Sequence, residues 1–258
     1  MLQEERFVRI RMLLAAVSRL GTDRIAQELA VSRETVRRDI VELEALGALR
    51  RVHGGVVATG LAPEPPLAAR QTVRAKEKRA IARAAVQLLQ PGQTLFVDAG
   101  STTALLAEEL SALSGLTIIT NGLAVALRLA AADKNRDARN QVILLGGSVN
   151  TEAQAAHGDI TVADIHRYRA DVALLSPVGV HDQHGATNFA HPDAAVARAM
   201  AQQAQRLVVL ADHSKIGQAS RVVYAGPQDI DTIVTDAAAR AMPALSALQA
   251  AGNHVVVA

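Results

Sequence analysis

The sequence predicts an α/β chain in two parts, a small helical head closed by a β-hairpin and a larger doubly wound, mainly parallel α/β domain. Three observations predict it. Helical periodicity and a glycine-turned pair of β-prone stretches occupy residues 1–58, a proline-bearing linker covers 59–72, and short Val/Ile/Leu runs then alternate with helical patterns over 73–258. The 258 residues suffice for a small domain plus one with an ordinary core.

In the head, Phe7, Ile10, Leu13, Leu14 and Val17 recur at helical spacing until Gly21 stops the pattern. Thr22 is the expected cap of a second helix carrying Ile25, Ala26 and Leu29, and Ala30-Val31 makes a tight turn. Ser32 is the expected N-cap of a third helix, with Val31 and Val36 at the positions of a hydrophobic staple and Val36, Ile40 and Leu43 as its buried stripe. After Gly47, the β-prone Leu49-Arg50-Arg51-Val52 and Val56-Val57 flank His53-Gly54-Gly55 and read as a wing. The head is thus a winged helix-turn-helix, joined by a linker containing Pro63, Pro65 and Pro66.

The second part opens with a helix expected over 73–90, stopped by Pro91-Gly92. Strands are expected at 94–98, 116–121, 141–146, 171–176, 207–212, 232–236 and 254–257. Most are continuous apolar runs, so helices should cover both faces of a parallel sheet.

Composition narrows the function. The absence of cysteine excludes disulfides, thiol catalysis and cysteine-ligated zinc, and hence a zinc finger. No apolar run approaches the roughly 20 residues of a membrane span, and the basic N-terminus lacks a signal-peptide core, so a cytoplasmic protein without a membrane partner is expected. Residues 1–80 hold 15 Lys+Arg against 10 Asp+Glu and the remainder 12 against 15, a basic head on an acidic body.

In a helix-turn-helix the second helix of the pair enters the major groove. Here it begins Ser32-Arg33-Glu34-Thr35-Val36-Arg37-Arg38-Asp39, and burial of Val36 and Ile40 would turn Glu34, Arg37 and Arg38 outward. Arginine's planar fork suits phosphates and guanine edges. Thr22, Ser32, Arg33, Thr35, Arg51 and His53 complete the expected DNA-contacting set, with Arg50 as a further wing cation. A solvated face, its arginines paired with Glu34, Asp39 and Glu42, is the rival; two short helices, a tight turn, a capped basic helix and a wing within fifty-odd residues favour double-stranded operator DNA.

Asp98-Ala99-Gly100-Ser101-Thr102-Thr103 follows a strand and opens a helix. Such a turn offers backbone N–H groups, hydroxyls and the positive end of a helix dipole to a phosphate. Simple N-capping by Ser101 or Thr102 explains it almost as well; placement at the carboxyl end of a strand, where ligands of open α/β sheets collect, tips the balance. Lys215 follows another strand end, as do Asn121, Gly146 and Gly147, and Gly179 joins this set. Asp98, Asp171 and Asp212 suit either ligand hydroxyls or capping. His181, His184 and His191 suggest a metal, but loop histidines without convergent partners are usually solvated, and neither metal nor cofactor is expected.

The sequence resembles the DeoR family of bacterial regulators through Ile25-Ala26-Gln27-Glu28-Leu29-Ala30-Val31-Ser32-Arg33-Glu34-Thr35-Val36-Arg37-Arg38-Asp39-Ile40 and Arg51-Val52-His53-Gly54-Gly55. The likeness continues through 98–103, Thr120-Asn121-Gly122, Gly146-Gly147, Asp212-His213-Ser214-Lys215-Ile216-Gly217 and Thr235-Asp236. It implies a repressor of a carbohydrate or sugar-acid catabolism operon, homo-oligomeric through its C-terminal domain. Such a repressor leaves its operator when a phosphorylated sugar, polyol or sugar acid binds. The chain departs from the family where a Glu followed four residues later by Lys is usual: it has Asp193 and Ala197, so the effector does not carry over. The larger domain also resembles the ribose phosphate isomerase fold, which makes an isomerase the rival function, with Asp98, Asp182 and Asp193 as candidate bases. An attached winged helix argues against an enzyme, and a nucleoid-type protein would leave the large domain unexplained.

Overall fold

A computed structural model describes residues 2–17, 19–46, 48–52, 55–58, 64–132 and 140–258. The chain divides into two compact units, Met1–Pro65 and Pro66–Ala258.

In the first unit, α1 (Gln3–Val17) is followed by β1 (Arg19–Gly21), α2 (Thr22–Leu29), α3 (Arg33–Ala45), β2 (Leu49–Val52) and β3 (Gly55–Ala58). Ile10, Leu14, Ile25, Leu29, Val36, Ile40, Leu43, Leu49 and Val56 form its core. Gly21 rather than Thr22 caps α2, and Thr22 is the first helical residue. The helix starts one residue early because Gly21 also ends β1, which pairs with β3 in a three-stranded sheet of order β1-β3-β2. At Gly55 a Cβ would stand 2.2 Å from the Leu20 carbonyl oxygen, so this strand crossing requires glycine. Ala30 closes α2 in the left-handed region at φ 52, making the tight turn.

The second unit opens with α4 (Leu67–Thr72) and α5 (Ala75–Val86). Of the stretch read as linker, residues 59–63 lie outside the described residues and Leu67–Thr72 are helical, while the helix expected over 73–90 is shorter, running from Ala75 to Val86, with Val73 and Arg74 separating it from α4. Arg74 there adopts φ 53. Next come β4 (Thr94–Val97), α6 (Ser101–Leu110), β5 (Thr117–Thr120), α7 (Leu123–Ala132), β6 (Gln141–Leu144), β7 (Ser148–Asn150), β8 (Ala155–His157) and α8 (Asp159–Ile165). The chain continues through β9 (Ala170–Leu175), β10 (Gly179–His181), β11 (Gly185–Asn188), α9 (His191–Gln202), β12 (Ala204–Leu210), β13 (Val222–Ala225), β14 (Thr232–Thr235), α10 (Pro243–Ala250) and β15 (His254–Val257).

Seven strands form a sheet in the order β15-β14-β12-β9-β4-β5-β6, every neighbouring pair parallel. All seven lie where the apolar runs predict them. Alternate residues feed the two faces: Phe96, Ile119, Ala173, Leu175 and Val209 pack with α8, α9 and α10, whereas Leu95, Val97, Ile118, Val172 and Leu174 pack with α5, α6 and α7. The strand order reverses beside β4: the chain leaves β4 for β5 and β6 on one side, then returns to β9 on the other. The carboxyl ends of β4 and β9 meet at this reversal, the position at which the crevice of such sheets receives ligands.

Two antiparallel features were not foreseen, the β7–β8 hairpin and a three-stranded sheet of order β10-β11-β13. The hairpin explains Gly147. Its φ is +139, and a Cβ there would lie 2.0 Å from Thr161 Oγ1, whose hydroxyl donates to the Gly146 carbonyl at 2.7 Å. Close packing on α8 requires this glycine. The Gly147→Ala variant is expected to lose ~1–3 kcal/mol of stability in denaturant unfolding.

Candidate functional sites

The first site lies on α3. Ser32 caps the helix, its Oγ accepting from the Thr35 N–H at 3.1 Å and sharing a 2.8 Å hydrogen bond with the Thr35 hydroxyl. Val36, Ile40 and Leu43 are buried against the core, which turns Arg33, Glu34, Arg37 and Arg38 outward. The side chains of Arg37 and Arg38 are 71% and 78% exposed. Glu34 stands 3.9 Å from Arg37 and 3.7 Å from Arg38, and Arg33 pairs with Asp23 at 2.8 Å. Exposed pairs of this kind contribute little, so phosphates can replace the carboxylates. Exposed Val41 extends the same face by one turn.

Asp39 is not part of that exposed face. It is buried, and Arg6 of α1 clamps it through Nε at 2.6 Å and Nη2 at 2.9 Å, which raises the Arg6 pKa. The charge that looked available to the arginines therefore ties α1 to α3. Arg51 of the wing is held by α3: the Glu44 carboxylate accepts from both its backbone and its guanidinium, and these hydrogen bonds hold the Glu44 pKa below the ordinary value. Arg50 is exposed, and His53 lies outside the described residues.

The second candidate site is the crevice position between the carboxyl ends of β4 and β9. Asp98 follows β4 and is buried; its Oδ2 accepts the Ser176 N–H at 2.9 Å, linking the two strand ends at the reversal. Gly100 caps α6 without a side-chain hydrogen bond, and a Cβ there would stand 3.3 Å from the Ser176 Cβ. Ser101, Thr102 and Thr103 are buried in the first turn, where backbone N–H groups have no intrahelical acceptor. Thr103 donates to the Gly100 carbonyl at 3.2 Å, whereas Thr102 Oγ1 is buried without a partner among the described residues. Ala99 packs beside Gly122, whose Cβ would stand 3.1 Å from the Ala99 Cα.

Lys215 reaches the same place, donating its ammonium to the Pro177 carbonyl, one residue beyond Ser176. Here the structure adds residues that the sequence reading missed. Lys78 of α5 is only 4% exposed and donates to the Arg70 carbonyl at 2.8 Å, while Arg74 stands 3.7 Å from Asp212. Burial raises the Asp212 carboxyl, but Lys215, the Ser214 hydroxyl, Arg74 and Lys78 outweigh it and hold the pKa below the usual value. Burial, with smaller contributions from Lys215, Arg70 and Arg74, lowers the Lys78 pKa to about 8 against the opposing pull of Asp212. A signal existed: Lys78 shares a helical stripe with Ile81, Ala82 and Ala85.

Other expected residues lie apart from this group or have packing roles. Asn121 donates from Nδ2 to the Ala156 carbonyl at 2.9 Å, tying β5 to β8, and its Oδ1 is buried without a partner among the described residues. Gly146 and Gly147 pack on α8, and at Gly179 a Cβ would meet the Gln218 carbonyl oxygen at 2.5 Å. Asp171 is the second residue of β9, at the opposite end of the strand from Ser176, and accepts the Thr94 N–H at 2.7 Å. Asp193 sits in the first turn of α9, while Ala197 is buried in the core. Asp182 pairs with His181 at the β10–β11 turn, and the His181 and His184 rings are 4.9 Å apart. His191 begins α9, and among the described residues no cluster of three or more His, Cys, Asp or Glu could hold a metal.

Lys78 sets an expected pH dependence for anion binding. An anion prefers the ammonium form, so affinity should fall as pH rises through about 8. The unfolded chain retains this proton up to the ordinary lysine value of 10.5, so this group's contribution to stability should rise with pH between about 8 and 10.5. Calorimetric titration of a phosphorylated ligand at several pH values checks the first sign, and denaturant unfolding checks the second.

Comparison with known proteins identifies both domains. A DeoR-like helix-turn-helix domain matches residues 6–60, and a DeoR C terminal sensor domain matches residues 73–237. The chain is 35% identical over 237 residues to the HTH-type transcriptional repressor GlcR of Bacillus subtilis, covering 92% of this chain and 89% of that protein. It is 28% identical over 254 residues to the Glycerol-3-phosphate regulon repressor of Escherichia coli, covering 98% and 97%. A solved ribose 5-phosphate isomerase from Methanocaldococcus jannaschii aligns with 54% of this chain and 52% of its own at 19% identity and a TM-score of 0.39, too distant to bear on activity. With an outward arginine-bearing helix in one unit, a cationic group around buried Asp212 in the other, and both domain types matched, the chain belongs to the DeoR family of transcription regulators.

Proposed function

We propose that this regulator is a cytoplasmic repressor of a carbohydrate or sugar-acid operon, and that a phosphorylated metabolite in the β4–β9 crevice releases it from its operator. Its relatives' names support the repressor reading, one of them naming a glycerol-3-phosphate regulon. The observation that carries the effector reading is the buried Lys78 ammonium, grouped with Lys215 and Arg74 around Asp212 next to the strand reversal. Taking cations out of water is unfavourable unless an anion compensates, and a phosphate that also meets the first turn of α6 provides that compensation. DNA contacts come from Arg33, Arg37, Arg38 and the wing, with Ser32 and Thr35 ordering the helix start. The site binds and does not turn over its ligand, a reading supported by the relatives' names as regulators. Of the candidate bases, Asp98 accepts the Ser176 N–H, Asp182 lies at the hairpin turn and Asp193 in the first turn of α9. The protein acts as a homo-oligomer, supported by the exposed apolar Leu144, Val149 and Ile160 around edge strand β6.

The test uses operator DNA selected from a random library by the full chain. Sugar, polyol and sugar-acid phosphates are then titrated against the complex at fixed salt. One class should lower operator affinity; no response to any of them overturns the effector reading.

A further inference from the structure

We infer that α4 is the element through which the crevice acts on the segment leading to the DNA-binding unit, with the Lys78 ammonium as the link. The inference rests on the effector reading above and specifies how that site is coupled. The α4 helix is the first element after the boundary between the units, so the connection from the DNA-binding unit enters the larger unit through it. Its two ends are held differently. At the start, buried Leu67 donates its N–H to the Glu152 carbonyl at 2.8 Å, and Asn150 Oδ1 braces that turn by accepting from the N–H groups of Glu152 and Ala153. At the end, the Arg70 carbonyl accepts from Lys78 Nζ at 2.8 Å.

An ammonium has three hydrogens. One holds Arg70, and the others are oriented by whatever anion enters the crevice. An anion that fixes the ammonium thereby fixes the last turn of α4.

The junction between the helices points to the same element. Val73 is extended, and Arg74 occupies the left-handed region at φ 53 and ψ 38, a conformation unfavourable for a side chain as large as arginine. Arg74 is held there by a tertiary contact, its guanidinium facing Asp212, the carboxylate around which Lys215 and Lys78 gather, while as the N-cap of α5 its carbonyl accepts the first helical bond from the Lys78 N–H at 3.0 Å. The break between α4 and α5 is therefore built from the groups that an incoming anion would perturb. Occupancy of the crevice and the setting of α4 are two states of one charge cluster, as linkage between distinct sites requires.

Amide hydrogen exchange of the full chain, with inorganic phosphate compared with chloride at matched ionic strength, tests this. Phosphate should slow exchange in residues 101–104 and in α4 by about fivefold or more, the lower end of ordinary coupling, while α10 remains unchanged. Slowing at 101–104 with no response in α4 overturns the inference and leaves the effector reading standing. Equal slowing in α10 also overturns it, because the response would then be global. No slowing anywhere overturns both. In Lys78→Met, α4 should no longer respond while residues 101–104, still served by Lys215, retain part of their protection; an undiminished α4 response in that variant rules out the ammonium as the link.

Discussion

Replacing Arg37 and Arg38 together with alanine is expected to abolish tight operator binding while leaving the fold of the first unit unchanged. Both side chains are more than two-thirds exposed and their partners are loose surface carboxylates, so the substitution removes little that stabilises the helix. Each arginine that reads a base edge is worth about 1–3 kcal/mol, and each lost phosphate contact lowers the slope of log affinity against log salt by about one. Titrations at several salt concentrations separate these contributions. A uniform loss across DNA sequences with a flatter salt dependence marks phosphate contacts, whereas relaxed preference at one base pair marks direct readout. Unchanged affinity in the folded double variant would remove α3 from the DNA interface. Asp39→Ala serves as the contrasting case: it leaves the exposed face intact but removes the clamp on Arg6, so its first effect is expected to be a lower thermal midpoint.

The second large effect is expected from Lys78→Met. Hydrogen bonds to charged groups contribute about 1.5–3 kcal/mol, so effector affinity should fall by about one to two orders of magnitude. Operator binding without effector should persist, producing a repressor that no longer responds. Methionine matches the length of the lysine stem and needs no solvation, so the variant should be at least as stable as the parent. This combination separates a ligand-binding lysine from a structural one: a purely structural role predicts lost stability with unaltered effector affinity. The pH dependence of effector binding near 8 should also disappear in this variant.

Much of this arrangement was readable in the residues. The seven parallel strands coincide with continuous apolar runs because a strand buried on both faces has no polar side to interrupt its pattern. Ser32 and the basic start of α3 were equally legible, because capping and helical facing depend on residues within a turn or two of one another. The short strands were not. β10 and β11 contain histidine, asparagine and threonine with little alternation, and they are strands because β13, more than thirty residues later in the chain, pairs with β11.

The charged residues show where local pattern stops being sufficient. Asp39 lies on the stripe of Val36 and Leu43, and Lys78 on that of Ile81 and Ala85, positions that mark burial in retrospect. Sequence spacing alone does not reveal that Arg6 waits opposite the first, or that Lys215, Arg74 and Asp212 surround the second. The order of residues by itself determined the helices of the first unit, the seven parallel strands, the outward turn of the α3 arginines and the Ser/Thr-rich start of α6, since each follows from the local pattern of side chains. Only the tertiary structure decided which charges lose their water and which partners they meet, because desolvation and electrostatic attraction depend on distances through space that the folded chain alone brings within reach.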